Sequence, residues 1–270
     1  MIGFNHYLRV PEQQDEPTLR AGFARASISP RQSLLERGVS LQGYAVRPGL
    51  AHSVHDELFV SSLLLVQGGQ RALLVSLDTC ELTSSQARML EEALAKVAGV
   101  PAAHVVLNAS HTHSGPDPAY LPYWHEVVSR ATEAAEQAVA ACAPVRSFRS
   151  GRAPCDIGYN RRVKVDGMPP GEERSMTIGV NESGPTLGYI DVWEFQIASG
   201  SGATPDEQRG DDQPAKRARG GGHRVLMVSG AAHGCVLPPE NCQVKSASHE
   251  PSASKRSSGG SCGAGCGPSV

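Results

Sequence analysis

The sequence predicts an α/β fold, with mixed β-sheets and helices packed on their outer faces. The first observation is the order of the elements: a hairpin is followed by a helix, a strand, a second helix and then further strands. The second is that the chain of 270 residues shows no internal repeat. This length is enough for one large domain or two small ones.

The first predicted elements are strands. Residues 22–30 alternate loosely between apolar and polar side chains, which indicates a first strand. Residues 58–66 and 71–77 are strongly apolar and flank the turn sequence Gln-Gly-Gly-Gln, which predicts a β-hairpin.

Two helices follow, with a strand between them. Residues 84–99 have apolar side chains at positions 87, 90, 94 and 97, Ser84 as a candidate N-cap and a closing glycine. Residues 104–110 are short and apolar, as in a buried strand. Residues 123–143 predict a longer helix that Pro144 ends.

The second half of the chain is predicted to be mainly strands, with two segments outside the fold. Residues 145–153, 189–198 and 223–232 have strand patterns. Residues 1–20 are expected to be a flexible leader, and residues 21–198 and 223–244 to form the folded region. Between these two parts, residues 199–222 are a Gly-, Pro- and charge-rich insertion that is expected to be disordered. Residues 245–270 are expected to be a low-complexity tail.

Composition excludes several classes of partner. A net charge of -2 gives no general attraction to nucleic acid, and the basic run at 216–219 lies among acidic residues. The apolar stretch 58–66 is half the length that a membrane span needs, so no transmembrane segment is expected. The first twenty residues show no signal peptide, which predicts a cytoplasmic protein by default and leaves export open if the true start lies upstream.

Cysteine usage favours reduced thiols. The 7 cysteines are odd in number, and those in the first 200 residues are scattered. Cys262 and Cys266 have knuckle-like spacing, but their low-complexity surroundings disfavour a zinc knuckle.

The sequence NASHTHSGPDP, residues 108–118, carries the most informative pattern. If the preceding strand continues through it, His111 and His113 point to the same side. Such a pair at a strand end is a common way to place imidazoles around a metal, and zinc suits imidazole nitrogen. His233 also follows an apolar strand and is a candidate to converge with them. Surface histidines without a role remain the alternative.

Several blocks, in order along the chain, resemble the N-terminal catalytic domain of the neutral/alkaline (non-lysosomal) ceramidases. NASHTHSGPD is the most specific block. The resemblance covers residues 21–200 and 223–244, and the other blocks are AGFARASISP, LQGYAVRPGLAHSVHDELFVSSLLLV, RALLVSLD, IGYNRR, IDVWEFQI and GAAHGCVLPPENCQV.

The resemblance implies a zinc-dependent amide hydrolase. It would cleave the N-acyl bond of ceramide or a related N-acyl lipid to a fatty acid and a sphingoid base. The resemblance makes His111 and His233 the ligands of Zn²⁺. It places His113 beside the metal, where it can hydrogen-bond substrate or water. With a pKa near the ordinary value of about 6.5, His113 could also move a proton toward the leaving nitrogen. It makes Arg161 the cation that holds the developing oxyanion.

The sequence departs from the family near its end, so whether the chain is an enzyme is left open. The family completes its site with a glutamate and a tyrosine from much later in the chain, and this sequence stops at Val270. The segment VKSASHEPSAS departs from the family's Ser-Ala-Asp-aromatic-Pro-Gly pattern, which suggests a truncated or frameshifted end. The fold is therefore expected to be incomplete relative to the family domain. An inactive fragment, or a non-catalytic relative that keeps only the first half of the fold, is the alternative.

Four other polar residues are interpreted as structural. Asp78 is expected to cap a strand end or to support a ligand residue. His55 and His104 are expected to have structural roles, and Ser114 is expected to be a turn hydroxyl. A barrel-type amidohydrolase also uses a His-x-His pair, but it needs eight strand–helix units and the chain has too few residues after His113.

Overall fold

A computed structural model describes residues 18–165, 176–199, 222–233, 240 and 242–244, and the backbone of 6–8. The strands in these residues are β1 (His6–Leu8), β2 (Arg20–Ser27), β3 (Phe59–Gln67), β4 (Gln70–Leu77), β5 (Val105–Ala109), β6 (Ala143–Pro154), β7 (Asn160–Lys164), β8 (Met176–Asn181), β9 (Tyr189–Ala198) and β10 (Gly222–Ser229). The helices are α1 (Gln32–Leu35), α2 (Ser84–Ala98) and α3 (Leu121–Ala140), with a 3₁₀ turn at Ala102–His104.

The main sheet is mixed, which confirms the predicted α/β class. Its strands lie in the order β10-β9-β6-β2-β3-β4-β5, and β1 pairs with β6. The neighbours β4 and β5 are parallel, whereas the other pairs of this sheet are antiparallel. Strands β7 and β8 form a separate two-stranded sheet.

The predicted hairpin is confirmed, with Gln67 opposite Gln70 at its tip. Gly68 and Gly69 between them both have positive φ, 55° and 82°. A two-residue loop whose twist matches the strands needs positive φ at both positions, and glycine adopts it without a steric penalty.

Helix α2 begins at Ser84, but its N-cap is Thr83 and not the predicted Ser84. Thr83 has extended backbone angles, and its hydroxyl accepts a hydrogen bond from the backbone N–H of Gln86. The Gln86 side chain accepts in return from the backbone N–H of Thr83, which completes a capping box. The helix ends at Ala98 with Gly99 as its C-cap, as predicted.

Helix α3 begins and ends earlier than predicted. It starts at Leu121 because Pro122 is compatible with the first turn, where its missing N–H costs nothing. It ends at Ala140, since Ala143 and Pro144 belong to β6 and pair with β2. Sheet pairing, rather than the proline alone, therefore sets the end of this helix.

Helices α2 and α3 pack on one face of the sheet and form the larger core with it. Alanines on α3 are fully buried there, and the helix backbone approaches β2 so closely that a Cβ on Gly22 would lie 1.9 Å from the carbonyl oxygen of Ala138. The opposite face carries a smaller apolar cluster and a groove of about 290 Å³. Its lining residues are Leu19, Leu65, Phe148, Trp193, Phe195 and Met227.

Several predicted segment boundaries agree only in part with the observed strands. Within the predicted leader, His6–Leu8 pair with β6. The predicted strand 223–232 ends at Ser229, and the next residues leave the sheet. Most of the predicted insertion and all of the predicted tail, with Cys262 and Cys266, lie outside the described residues. In the described part of the chain no helix is both long enough and apolar enough to cross a bilayer.

Candidate functional site

The site lies where the parallel strands β4 and β5 end side by side. Leu77 at the end of β4 is opposite Ala109 at the end of β5. Backbone pairing continues past both strands: Ser110 N–H donates to the carbonyl of Leu77 and His111 N–H to that of Thr79, each at 2.9 Å. The carboxyl ends of neighbouring parallel strands are a common location for functional residues.

The His-x-His pair lies in the loop after β5 rather than in the strand. Strand β5 ends at Ala109, and His111 has a φ of 60°, in the left-handed region. A non-glycine residue in this conformation costs about 1–3 kcal/mol and persists only where its surroundings hold it. The two histidines are therefore brought together by a strained turn, and not by the alternation of a strand.

The ring of His111 is held in a defined tautomer by Cys80. Its Nδ1 is 2.8 Å from the carbonyl oxygen of Cys80. A carbonyl only accepts, so Nδ1 donates its hydrogen, which leaves the Nε2 lone pair of the neutral ring available. Metal-binding histidines typically make this kind of hydrogen bond through the other nitrogen.

Three imidazoles converge at this Nε2. The Nε2 atoms of His111 and His233 are 3.1 Å apart, and those of His111 and His113 are 3.2 Å apart. The ring centroids of all three pairs are 4.7–4.8 Å apart. Two nitrogens bound to one tetrahedral zinc at 2.0–2.1 Å would lie about 3.3 Å apart. The donor set and its spacing therefore fit a zinc ion.

A second grouping of possible ligands overlaps the first. Cys80, His111 and His113 each offer a ligand atom, and these atoms lie within 4.8 Å of one another. However, the Cys80 sulfur is 3.6 Å from Nδ1 of His111, the nitrogen that is already hydrogen-bonded to the Cys80 carbonyl. The Nε2 atoms around His111 leave that hydrogen bond intact and are therefore better placed to hold a metal.

Burial and neighbouring charge keep two of these rings neutral. Burial lowers the pKa of His113 to about 4, with further lowering by His111, His233, Arg161 and Arg47. Burial, then Arg161 and His111, also lower the pKa of His233. The expected pKa of about 6.5 for His113 is therefore wrong, because sequence carries no information on desolvation. A neutral ring at pH 7 is suited to binding a cation.

Arg161 lies on β7 with its side chain exposed, and its charge acts on His113 and His233. The register of β7 and β8 shifts around it, between Asn160 and Arg162. The Asn160 side chain spans this irregularity: its oxygen accepts from the backbone N–H of Arg162 and its nitrogen donates to the carbonyl of Pro185. Irregularities of this kind often redirect a side chain next to a functional site.

The segment that carries His233 packs against the chain just before β7. A Cβ on Gly158 would lie 3.3 Å from the carbonyl oxygen of Ala231, so the segment before β7 packs directly on the one before His233. Further along, the fully buried Val244 donates through its N–H to Ser53 and accepts at its carbonyl from the N–H of His55.

The other polar residues named from the sequence have structural contacts. The buried Asp78 accepts a hydrogen bond from the backbone N–H of Phe59, which supports its interpretation as a strand cap. His104 lies before β5, at the end away from His111, and its Nδ1 is 3.0 Å from the Arg71 carbonyl. His55 is 3.0 Å from the Asp56 carboxylate, and Ser114 is buried in the turn.

Sequence reasoning missed the residues that surround His113. Gly43, Tyr44 and Arg47 all contact it, and Cys80 supplies the acceptor for His111. Gly43 and Tyr44 are the Gly-Tyr of the block LQGYAVRPG, one of the segments that carry the family resemblance. Their place in this block was the sequence signal that could have identified them as part of the site.

The fold is similar to that of two solved ceramidase structures. The neutral ceramidase from Pseudomonas aeruginosa matches with a TM-score of 0.55 and 18% identity, over 86% of this chain and 34% of that one. A ceramidase complexed with C2 matches with a TM-score of 0.54 and 16% identity, over 85% of this chain and 33% of that one. The chain thus has a ceramidase-like fold and spans about a third of the length of these proteins.

No family model matches the sequence. No curated protein matches it either. At this level of identity the structural likeness establishes the fold, and the assignment of chemistry depends on the arrangement of the site.

Proposed function

We propose that the chain is a zinc-dependent amide hydrolase of the neutral ceramidase type. It cleaves the N-acyl bond of ceramide or a related N-acyl lipid to a fatty acid and a sphingoid base. The observation that carries this proposal is the meeting of the Nε2 atoms of His111, His113 and His233 at the end of two parallel strands of a ceramidase-like fold.

In this proposal His111 and His233 hold the zinc ion. The hydrogen bond from Nδ1 of His111 to Cys80 fixes the ring so that Nε2 faces the site, and the lowered pKa of His233 keeps that ring neutral. Zinc, when bound, supplies a Lewis acid that polarises an amide carbonyl and makes water more acidic.

His113 acts through its Nε2, 3.2 Å from that of His111. With a pKa of about 4 it is unprotonated at neutral pH, so it accepts a hydrogen bond rather than donating a proton. In this role it orients the attacking water. This differs from the proton donation expected from an unperturbed imidazole.

Arg161 stabilises the negative charge that develops on the carbonyl oxygen of the amide. Its guanidinium is always charged and has forked donors, and its field already reaches His113 and His233. Donors of this kind typically contribute about 10²–10³-fold to kcat.

Exposed apolar side chains beside the site support an amphiphilic substrate. Ile157 and Tyr159 are 75% and 67% exposed and flank Gly158, which packs next to the His233 segment. Val46 is 81% exposed in the loop that contacts His113. Acyl and sphingoid chains would cover such surfaces, since burial of apolar area is favourable.

The experiment is a metal and activity assay on the purified chain. Bound zinc is counted by mass spectrometry, and release of fatty acid from a fluorescent N-acyl sphingosine is followed with and without a chelator. The proposal expects about one zinc per chain and hydrolysis that chelation abolishes and zinc restores. A chain that binds no stoichiometric zinc overturns it.

An inactive fragment or non-catalytic relative that keeps only the first half of the fold is the second candidate. It would have the same ceramidase-like fold and the same meeting of histidines without hydrolysing an amide. Stoichiometric zinc without any release of fatty acid would support this candidate over the hydrolase.

A further inference from the structure

We infer that Gly43, Tyr44 and Arg47 form a cradle that sets the orientation of the His113 ring toward the metal centre. This inference rests on the proposed zinc site and adds residues to which that proposal assigns no role. The three residues lie in the loop that runs alongside the His111–Pro116 turn.

Backbone contacts join the loop of residues 41–47 to the His111–Pro116 turn. Leu41 and Pro116 form an antiparallel bridge, and the N–H of Gln42 donates to the carbonyl of Gly115 at 2.9 Å. The position of residues 43–47 relative to His113 is therefore fixed by the main chain.

Gly43 places bare backbone against the imidazole. A Cβ at this position would lie 2.4 Å from Cγ of His113 and 2.8 Å from its Cβ and Cδ2. The residue also has a φ of 106°, which disfavours any side chain. Only glycine leaves room for the ring in its observed position.

Tyr44 and Arg47 hold the ring and its backbone from the same loop. The Tyr44 ring meets the His113 ring edge to face, with centroids 4.9 Å apart and an interplanar angle of 82°. The Arg47 guanidinium donates to the carbonyl of His113 and lies 5.1 Å from the centre of the Tyr44 ring. Tyr44 therefore contacts both the His113 ring and the Arg47 guanidinium, and Arg47 also holds the His113 backbone.

His113 is oriented by this cradle, whereas His111 is oriented by a hydrogen bond from its Nδ1. The Nδ1 atom of His113 is buried and has no hydrogen-bond partner among the described residues. Ring packing and the hold on the backbone carbonyl therefore orient Nε2 of His113, whereas a carbonyl acceptor orients Nε2 of His111. His113 is not a zinc ligand in the proposed site, but its Nε2 lies 3.2 Å from the ligand atom of His111, so a shift of its ring changes the surroundings of a bound ion.

The test compares Co²⁺ binding by Gly43→Ala and Gly69→Ala, followed by competition with a chelator and by the visible spectrum of the bound ion. Both glycines have positive φ, so both substitutions strain the backbone, but a Cβ on Gly69 meets nothing within 4 Å. We expect a shifted visible spectrum of bound Co²⁺ for Gly43→Ala, because the His113 ring beside the ion must move, with Gly69→Ala close to the wild type.

Two conservative pairs make the test independent of whether Gly43→Ala folds. Arg47→Gln and Tyr44→Leu are expected to shift the spectrum of bound Co²⁺, because the His113 ring loses a contact that holds it, while Arg47→Lys and Tyr44→Phe keep a spectrum close to the wild type. Wild-type affinity and spectrum in both Arg47→Gln and Tyr44→Leu would overturn the inference. Absence of Co²⁺ binding by the wild-type chain would instead overturn the metal site on which the inference rests.

Discussion

The Nε2 atoms of His111 and His233 lie 3.1 Å apart although 122 positions separate the two residues in the chain. One follows β5, and the other follows β10 at the far end of the same sheet. The 230–233 segment therefore brings His233 back to the end of β5, and this segment packs on Gly158.

Zinc binding is predicted to depend on this meeting. Replacing His111 or His233 with alanine removes one nitrogen from the set, so zinc affinity should fall by more than the about 10–100-fold typical of losing an outer partner. Isothermal titration calorimetry with zinc measures the affinity of each variant. His104→Ala is the matched control, because His104 lies at the other end of β5. Equal losses in all three variants would contradict the prediction.

The pKa of His113 in the metal-free protein is predicted to be about 4, because burial and neighbouring positive groups disfavour the charged ring. Between this value and about 6.5 the unfolded chain binds a proton that the folded chain does not. The free energy of unfolding should therefore decrease as the pH falls through this window. Imidazole NMR titration checks the value, and a midpoint near 6.5 would show that the ring is solvated.

Removal of the Arg161 charge is predicted to raise the pKa of His233, since Arg161 is the largest cause of its lowering after burial. Because burial remains, the pKa should stay below its ordinary value. For the proposed hydrolase activity, Arg161→Gln should also reduce kcat by about 10²–10³-fold. Arg162→Gln, at the neighbouring exposed position, is the control, and equal effects of both substitutions would argue against a specific role.

Gly22→Ala is predicted to destabilise the fold strongly. The new Cβ would lie 1.9 Å from the carbonyl oxygen of Ala138, so α3 would have to move away from β2 at a cost of about 3 kcal/mol or more. Gly188→Ala, where a Cβ meets nothing within 4 Å, should leave stability nearly unchanged. Urea denaturation of the two variants measures the difference, and similar midpoints would mean that the contact between α3 and β2 is loose.

The local pattern of the chain predicted most of its secondary structure, including the hairpin, both long helices and the α/β class. Errors arose where a long-range contact decided a boundary. Ala143 leaves the predicted helix because β6 pairs there with β2, and β7 and β8 were not predicted from their short sequences. Hydrophobic periodicity reports which face is buried, but not which neighbour a segment will pair with.

The sequence by itself determined the candidate histidines at the ends of two apolar strands and the resemblance to the ceramidases. Only the tertiary structure decided that these histidines meet, that His111 adopts a left-handed turn, and that Gly43 and Arg47 hold His113. The lowered pKa of His113 also depends on the tertiary structure, because burial is its main cause. The physical reason is that proximity and desolvation depend on every element packed around a residue, whereas a sequence pattern describes only the residue's own element.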